Sequence, residues 1–189
     1  MALATVDTQG RPSARVVLLK GLSVEFGYAV FYTNYESRKG RELQDNAYAA
    51  GVLYWEKPGR QLRFEGPVLR SPQSESDAYF KTREWGSQIN AWVSEQSKPL
   101  VNSDELQRRA QDKAREFGGP SDEQQSGIAE TSLPRPPFWG GYRLWFEAVE
   151  LWVEGADRFH ERIRYERSLS PKDASSFTVT PWRKQQLQP

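Results

Sequence analysis

The sequence predicts an α+β protein: an antiparallel β-barrel of six or more short strands with a few helices set between them. Three observations predict it. Short runs dense in β-branched and aromatic residues recur along the chain, separated by turns rich in Asp, Gly, Pro and Asn. Two stretches, residues 71–82 and 103–117, lose that alternation and show helix starts or helical spacing instead. A length of 189 residues gives one ordinary domain a real core and leaves little room for a second, so residues 1–189 read as a single domain.

Residues 3–6 and 13–19 are two strands joined by Asp7-Thr8-Gln9-Gly10, a turn whose Asp and Gly favour chain reversal. Residues 28–33 are a third strand. Ser37 then offers an N-cap hydroxyl to a short helix ending near residue 46, which places Ser37, Arg38 and Lys39 at a strand-to-helix junction. Residues 48–55 and 61–69 form a hairpin around Glu56-Lys57-Pro58-Gly59; Leu62, Phe64 and Val68 alternate with Gln61, Arg63 and Glu65. From Ser71 a helix runs to about residue 82, with Pro72 where a first helical residue tolerates it. Tyr79 and Arg83 are four apart and share a face, and Ser87 follows in a turn at Gly86. Ser103 caps a further helix with Asp104 and Glu105 in its first turn and Leu106, Ala110, Ala114 and Phe117 at helical spacing. Residues 118–137 have the Gly, Ser, Glu, Gln and Pro content of a mobile surface loop, and residues 142–153, 162–166 and 177–181 return to β propensity.

Composition removes several classes of function. A mean hydropathy of −0.78, with 27% charged residues, argues against a membrane protein, and no apolar run approaches the ~20 residues that span a bilayer. Without a charged start and apolar segment to signal secretion, and with no cysteine, a cytoplasmic location is expected. The absence of cysteine also removes disulfides, thiolate nucleophiles and Cys-based zinc sites, while a single histidine, His160, argues against a His-rich metal site. No phosphate-binding Gly-rich loop and no G-x-S-x-G elbow is present. A net charge of +1, from 26 basic and 25 acidic residues, speaks against nucleic acid as a partner.

In so neutral a chain, three basic clusters point to a small phosphorylated ligand. On a regular strand Arg15 and Lys20 face opposite ways, five steps apart, with Val16, Val17, Leu18 and Leu19 holding both on a rigid element. Solvated strand ends are the alternative. Ser37, Arg38 and Lys39 combine free helix N–H groups, the helix dipole and two cations, a combination that suits phosphate; a solvated helix start is the alternative. Arg158, His160 and Arg162 share one face of an extended stretch. A lone histidine there is either structural or part of a site.

The order of motifs then resembles the pyridoxamine/pyridoxine 5′-phosphate oxidases: Arg15-x-Val17-Leu18-Leu19-Lys20, Tyr32-Thr33-Asn34, Ser37-Arg38-Lys39, Arg60-Gln61, Tyr79-Phe80-x-x-Arg83, Gln96-Ser97, Trp139-Gly140-Gly141 and Arg158-x-His160-x-Arg162. Each is short; their shared order over nearly the whole chain is specific. The resemblance implies a split-barrel homodimer with flavin mononucleotide (FMN) at the subunit interface. It implies that Arg15, Arg38 and Lys39 hold the flavin phosphate and that Tyr32, Thr33, Gln61, Gln96, Ser97, Trp152 and Arg162 contact the ribityl chain and ring, with Val16, Val17, Leu18, Lys20 and Ser37 completing the cofactor set. Lys20, Tyr79, Arg83 and Ser87 match the positions that grip the substrate phosphate, and Arg158 and His160 the pair at the reacting carbon. The implied reaction moves a hydride from C4′ of pyridoxine or pyridoxamine 5′-phosphate to the flavin, which O₂ reoxidises with release of peroxide.

The chain departs from the family pattern at Trp152-Val153-Glu154-Gly155, where Trp-Gln-Gly is usual, at Glu84-Trp85, where Pro-Arg is usual, and at Phe159, where leucine is usual. It also opens at the first barrel strand, while family members usually carry an N-terminal segment over the active site, so a shortened or divergent member is expected. Two alternatives accompany the oxidase reading: a related flavin oxidase of phenazine-biosynthesis type, and a flavin- or B6-binding protein without turnover.

Overall fold

Asp7 sets the first turn. In the computed structural model, which describes residues 1–118 and 133–189, Asp7 Oδ1 accepts the Gln9 and Arg11 amides at 2.9 Å each. That reversal folds β1 (Ala2–Val6) against β2 (Pro12–Val16), with Ala4 opposite Ala14. The remaining strands are β3 (Gly21–Ser23), β4 (Tyr28–Asn34), β5 (Tyr48–Trp55), β6 (Arg60–Arg70), β7 (Trp139–Trp145), β8 (Ala148–Val153), β9 (Glu161–Glu166), β10 (Leu169–Asp173), β11 (Ser176–Val179) and β12 (Arg183–Leu187). The helices are α1 (Arg38–Asp45), α2 (Gln73–Lys81), α3 (Trp85–Val93) and α4 (Ser103–Glu116). The expected α+β class holds.

By contacts the chain falls into two compact units. Met1–Phe31, Glu42–Ser71 and Tyr142–Pro189 form the first; Tyr32–Arg41 and Pro72–Gly141 form the second. In the first, the sheet runs β12-β9-β8-β6-β5-β1-β2, while β7 also pairs with β6 and β4, and β4 with β3. The long strand β6 changes partner along its length: residues 60–65 pair with β8, and Val68, Leu69 and Arg70 pair with β7. Gly66 stands at the change, where a Cβ would run into the Trp145 carbonyl, so only glycine lets the two backbones approach this closely. Behind β6 lies a core that includes Leu3, Phe31, Phe64, Leu144 and Trp145, each at most 3% exposed; full burial of such a side chain is worth about 1.5–3 kcal/mol.

The second unit packs Phe80, Trp85, Ile89, Ala91, Ala114, Leu133 and Trp139 into one cluster, with Tyr32, Tyr79, Trp92, Ala110 and Phe117 against it. The helical spacing read at Ala110, Ala114 and Phe117 therefore marks the buried face of α4.

Several boundaries differ from expectation. β2 ends at Val16, so residues 17–20 are not strand and the opposite-face argument for Arg15 and Lys20 does not apply. Helix α3 occupies the place of the expected Gly86 turn, and puts Ser87 in its first turn. The cap of α4 is Asn102, whose side chain accepts the Glu105 amide at 2.9 Å, with Ser103 as first helical residue; Pro72 likewise precedes α2 rather than opening it. The stretch 142–153 breaks at Phe146 and Glu147, whose amides bond to the Gly27 and Glu65 carbonyls at 2.8 and 3.0 Å, and so belongs to two strands. β3, β10 and β12 were not expected. Of the loop expected over 118–137, residues 119–132 lie outside the described residues. No helix among the described residues is long and apolar enough to cross a membrane.

Candidate active site

In the second unit, the end of β4 and the start of α1 assemble a set of buried donors. Asn34 Oδ1 accepts the Glu36 amide at 2.7 Å and the Asn34 carbonyl accepts the Ser37 amide at 3.2 Å, turning the chain into the helix. Ser37 then caps it: Oγ accepts the Gly40 amide at 3.3 Å and the carbonyl accepts the Arg41 amide at 2.9 Å. Lys39, 7% exposed, donates from Nζ to Thr33 Oγ1 at 3.0 Å and to Ser37 Oγ at 3.1 Å. Thr33 Oγ1 donates onward to Gln96 Oε1 at 3.2 Å. Thr33, Ser37, Lys39 and Gln96, scattered over 64 positions of sequence, are thus one hydrogen-bonded group. Arg38, next to it on the first turn, is exposed, as is Ser97, which adopts φ +75.

The same unit holds a second arrangement. The Arg83 guanidinium lies over the Trp139 ring, 4.6 Å from its centroid, and Nη1 is buried without a hydrogen-bond partner among the described residues. Burial pushes this guanidinium below its ordinary range, with Tyr79 acting weakly the other way. Tyr32 and Tyr79 stack at 3.9 Å, and Tyr32 stacks on Trp139 at 5.5 Å. Gln88, 2% exposed, fixes the corner by donating to the Arg83 carbonyl at 2.8 Å and accepting the Leu133 amide at 2.9 Å. Tyr32, Tyr79 and Arg83 are brought together on Trp139, a supporting role the motif reading did not assign; Ser87 is half-buried on the first turn of α3. The family departure at Trp85 is absorbed into the core, where it is 2% exposed.

In the first unit, β-sheet register sets a row. Gln61 on β6 lies opposite Trp152 on β8, and Trp152 opposite Arg162 on β9, so amide, indole and guanidinium share one face of the sheet. Arg162 Nε donates to Glu150 Oε1 at 2.9 Å, and Glu150, 2% exposed, also pairs with Arg63 at 3.4 Å. His160 packs its ring 4.6 Å from Trp152, and its Nδ1 accepts the Gly155 amide at 3.2 Å. The extended stretch expected for Arg158, His160 and Arg162 is instead a tight turn: Asp157 and Arg158 are left-handed, at φ +50 and +66, so strand alternation does not apply to Arg158. Arg158 is exposed on that turn.

Arg15 is held more firmly than expected. Its guanidinium donates to Thr5 Oγ1 at 2.6 Å, to Leu3 O at 3.3 Å and to Ser13 Oγ, and pairs with Glu42 at 3.2 Å. Glu42, with 5% of its side chain exposed, also accepts Ser13 Oγ at 2.7 Å. Val16 and Leu18 are 79% and 69% exposed, Val17 is half-buried, and exposed Lys20 ties its amide to Val30 O at 2.9 Å. The carboxylates of Glu42 and Glu150, which pair with Arg15 and with Arg63 and Arg162, are neighbours that motif reading missed; Glu150 was visible as a charge inside the apolar run of β8.

Known proteins share both the sequence and the fold of this chain. Residues 1–113 match the family described as pyridoxamine 5′-phosphate oxidase, and residues 139–189 match the pyridoxine 5′-phosphate oxidase C-terminal dimerisation region. A pyridoxine/pyridoxamine 5′-phosphate oxidase of Paraburkholderia phytofirmans is 45% identical over 96% of this chain and 78% of its own length. One from Rubrobacter xylanophilus is 45% identical over 100% of this chain and 76% of its own. Among solved structures, PhzG of Burkholderia lata, in complex with tetrahydrophenazine-1-carboxylic acid, superposes with a TM-score of 0.79 at 34% identity, covering 100% of this chain and 81% of that one. A pyridoxamine 5′-phosphate oxidase-related, FMN binding protein of Nostoc punctiforme shares the fold, with a TM-score of 0.69 at 18% identity over 100% of this chain and 87% of that one. The chain belongs to the pyridoxamine 5′-phosphate oxidase family.

Proposed function

We propose that this protein is an FMN-dependent oxidase that converts pyridoxine 5′-phosphate or pyridoxamine 5′-phosphate to pyridoxal 5′-phosphate. The alcohol and O₂ give the aldehyde and hydrogen peroxide; the amine takes up one water as well and releases ammonia. The observation that carries the reading is Arg83, a charged donor stacked on Trp139 with a buried N–H that has no hydrogen-bond partner among the described residues. Such a donor calls for an anionic acceptor, and the phosphate common to both substrates supplies one. Lys20, Tyr79 and Ser87 are the companions proposed for that grip.

The donor set fits FMN. Ser37, Lys39 and Thr33 set hydroxyls and an ammonium at the start of α1, the chemistry that a phosphate requires, and Arg38 adds charge; Arg15, paired with Glu42, is a further candidate from the family resemblance. Gln61, Trp152 and Arg162 offer an amide, a flat ring and a guanidinium, with Tyr32, Gln96, Ser97 and the chain at Val16, Val17 and Leu18 as further candidates. FMN, when bound, supplies the two-electron acceptor. Arg158 and His160 orient the substrate at its reacting carbon, and positioning of this kind contributes up to about 7–11 kcal/mol. The two units serve one function, in a cytoplasmic homodimer with FMN at the interface.

Arg83→Lys keeps the charge and loses the planar stack. Its KM for pyridoxine 5′-phosphate is expected to rise on the order of 10–100-fold, the value of a charge-assisted hydrogen bond, with a smaller change in kcat. Initial rates of peroxide release measure this; an unchanged KM contradicts the assignment. The likeness to PhzG favours a second reading, a reduced phenazine carboxylic acid as substrate. Such a ligand carries a carboxylate and no phosphate, so the two readings are separated by which compound the FMN-loaded protein oxidises, pyridoxine 5′-phosphate or the reduced phenazine acid.

A further inference from the structure

His160 is the sole histidine of the chain, and its backbone surroundings decide which ring nitrogen carries the proton. The Gly155 amide points at Nδ1 over 3.2 Å. A backbone amide has a proton to give and no lone pair to offer, so Nδ1 is the acceptor and Nε2 keeps the N–H.

The loop that aims this amide is closed by its own backbone. The Phe159 amide bonds to the Ala156 carbonyl at 2.9 Å, and the His160 amide to the Arg158 carbonyl at 2.8 Å. The second bond spans an inverse γ-turn centred on Phe159, at φ −75 and ψ 70. Asp157 and Arg158 both take left-handed backbone, at φ +50 and +66, a conformation that aspartate tolerates and that arginine adopts only when its surroundings impose it. Gly155 has no room for a side chain, because a Cβ there would meet the Phe159 carbonyl. The Trp152 ring, 4.6 Å away, holds the imidazole from another side.

We propose that Gly155 is a positioning residue that locks His160 as its Nε2–H tautomer, so that His160 meets the substrate as a hydrogen-bond donor from Nε2 and not as a proton acceptor. The inference rests on the reading of His160 at the reacting carbon given above. A donor in that place suits the lone pair of the oxygen or nitrogen substituent on that carbon, which it would hold in one orientation.

Histidine-specific ¹⁵N labelling of the FMN-loaded protein tests this with one imidazole in the spectrum. The expected result is an unprotonated, acceptor-type Nδ1 and a protonated Nε2 showing a one-bond proton coupling. A protonated Nδ1, or two nitrogens sharing one averaged shift, overturns the inference. The spectrum needs no turnover. A protein that shows the Nε2–H tautomer yet oxidises neither B6 phosphate removes the substrate reading and leaves the lock standing, whereas an active enzyme with the proton on Nδ1 does the reverse. A pair of variants reads the role. His160→Gln places an amide N–H near Nε2 and is expected to keep kcat/KM within about tenfold of the parent, the scale of one neutral hydrogen bond. His160→Asn places its amide near Nδ1 and is expected to fall at least about tenfold further. Equal losses in the two variants contradict a donor role for Nε2.

Discussion

Replacing Arg158 with alanine is expected to lower kcat for pyridoxine 5′-phosphate by about 10²–10³-fold, the cost of removing one preorganised charged donor, while FMN stays bound. Arg158 is exposed at the tip of the turn after β8, and its guanidinium has no ion pair among the described residues, so its loss leaves the sheet intact. Its left-handed backbone is fixed by the turn around it rather than by its own side chain. The variant therefore separates chemistry from folding and from cofactor binding. Peroxide release measures the first and flavin fluorescence titration the last; a variant that retains the parental kcat contradicts the placement of Arg158 at the reacting carbon.

Glu42→Ala is expected to cost about 3 kcal/mol of folding stability, the low end for breaking a buried ion pair, because the Arg15 side chain retains some contact with water. Glu42 pairs with Arg15 at 3.2 Å and accepts the hydroxyls of Thr5 and Ser13. Its removal leaves a half-buried guanidinium without its counter-charge and two hydroxyls without their shared acceptor. The double variant Arg15→Met/Glu42→Leu recovers much of the loss, since no uncompensated charge remains. Urea unfolding followed by circular dichroism reads both; a single variant as stable as the parent contradicts the network.

The hairpins and the start of α1 were legible because each depends on local chemistry. Asp7 closes its turn through its own neighbours' amides, and Ser37 caps α1 through Gly40. Helix α3 was hidden by Gly86, which reads as a turn; the spacing of Trp85, Ile89 and Val93, all buried, was the available signal. Arg15 and Lys20 were assigned to opposite faces on the assumption that the strand reached residue 20, whereas it stops at Val16. The turn at Arg158 was read as extended because backbone signs are invisible in residue types. Gly155 and Asp157, both tolerant of unusual backbone, were the only local hints.

Site residues followed the same division. Of the proposed site residues, Ser37 and Lys39 were legible in the helix start, while Thr33, Gln61, Trp152 and Arg162 came from the family resemblance; strand register explains why the last three form a row. Glu42 and Glu150 escaped because a buried carboxylate is defined by its tertiary partners, here Arg15 in one case and Arg63 with Arg162 in the other.

The central claim, that this chain oxidises a phosphorylated B6 vitamer, is tested most directly by loading the purified protein with FMN, adding pyridoxine 5′-phosphate in air, and following hydrogen peroxide and pyridoxal 5′-phosphate together. Formation of the two products in equal amounts is the predicted result. Bound flavin with neither product formed would contradict it.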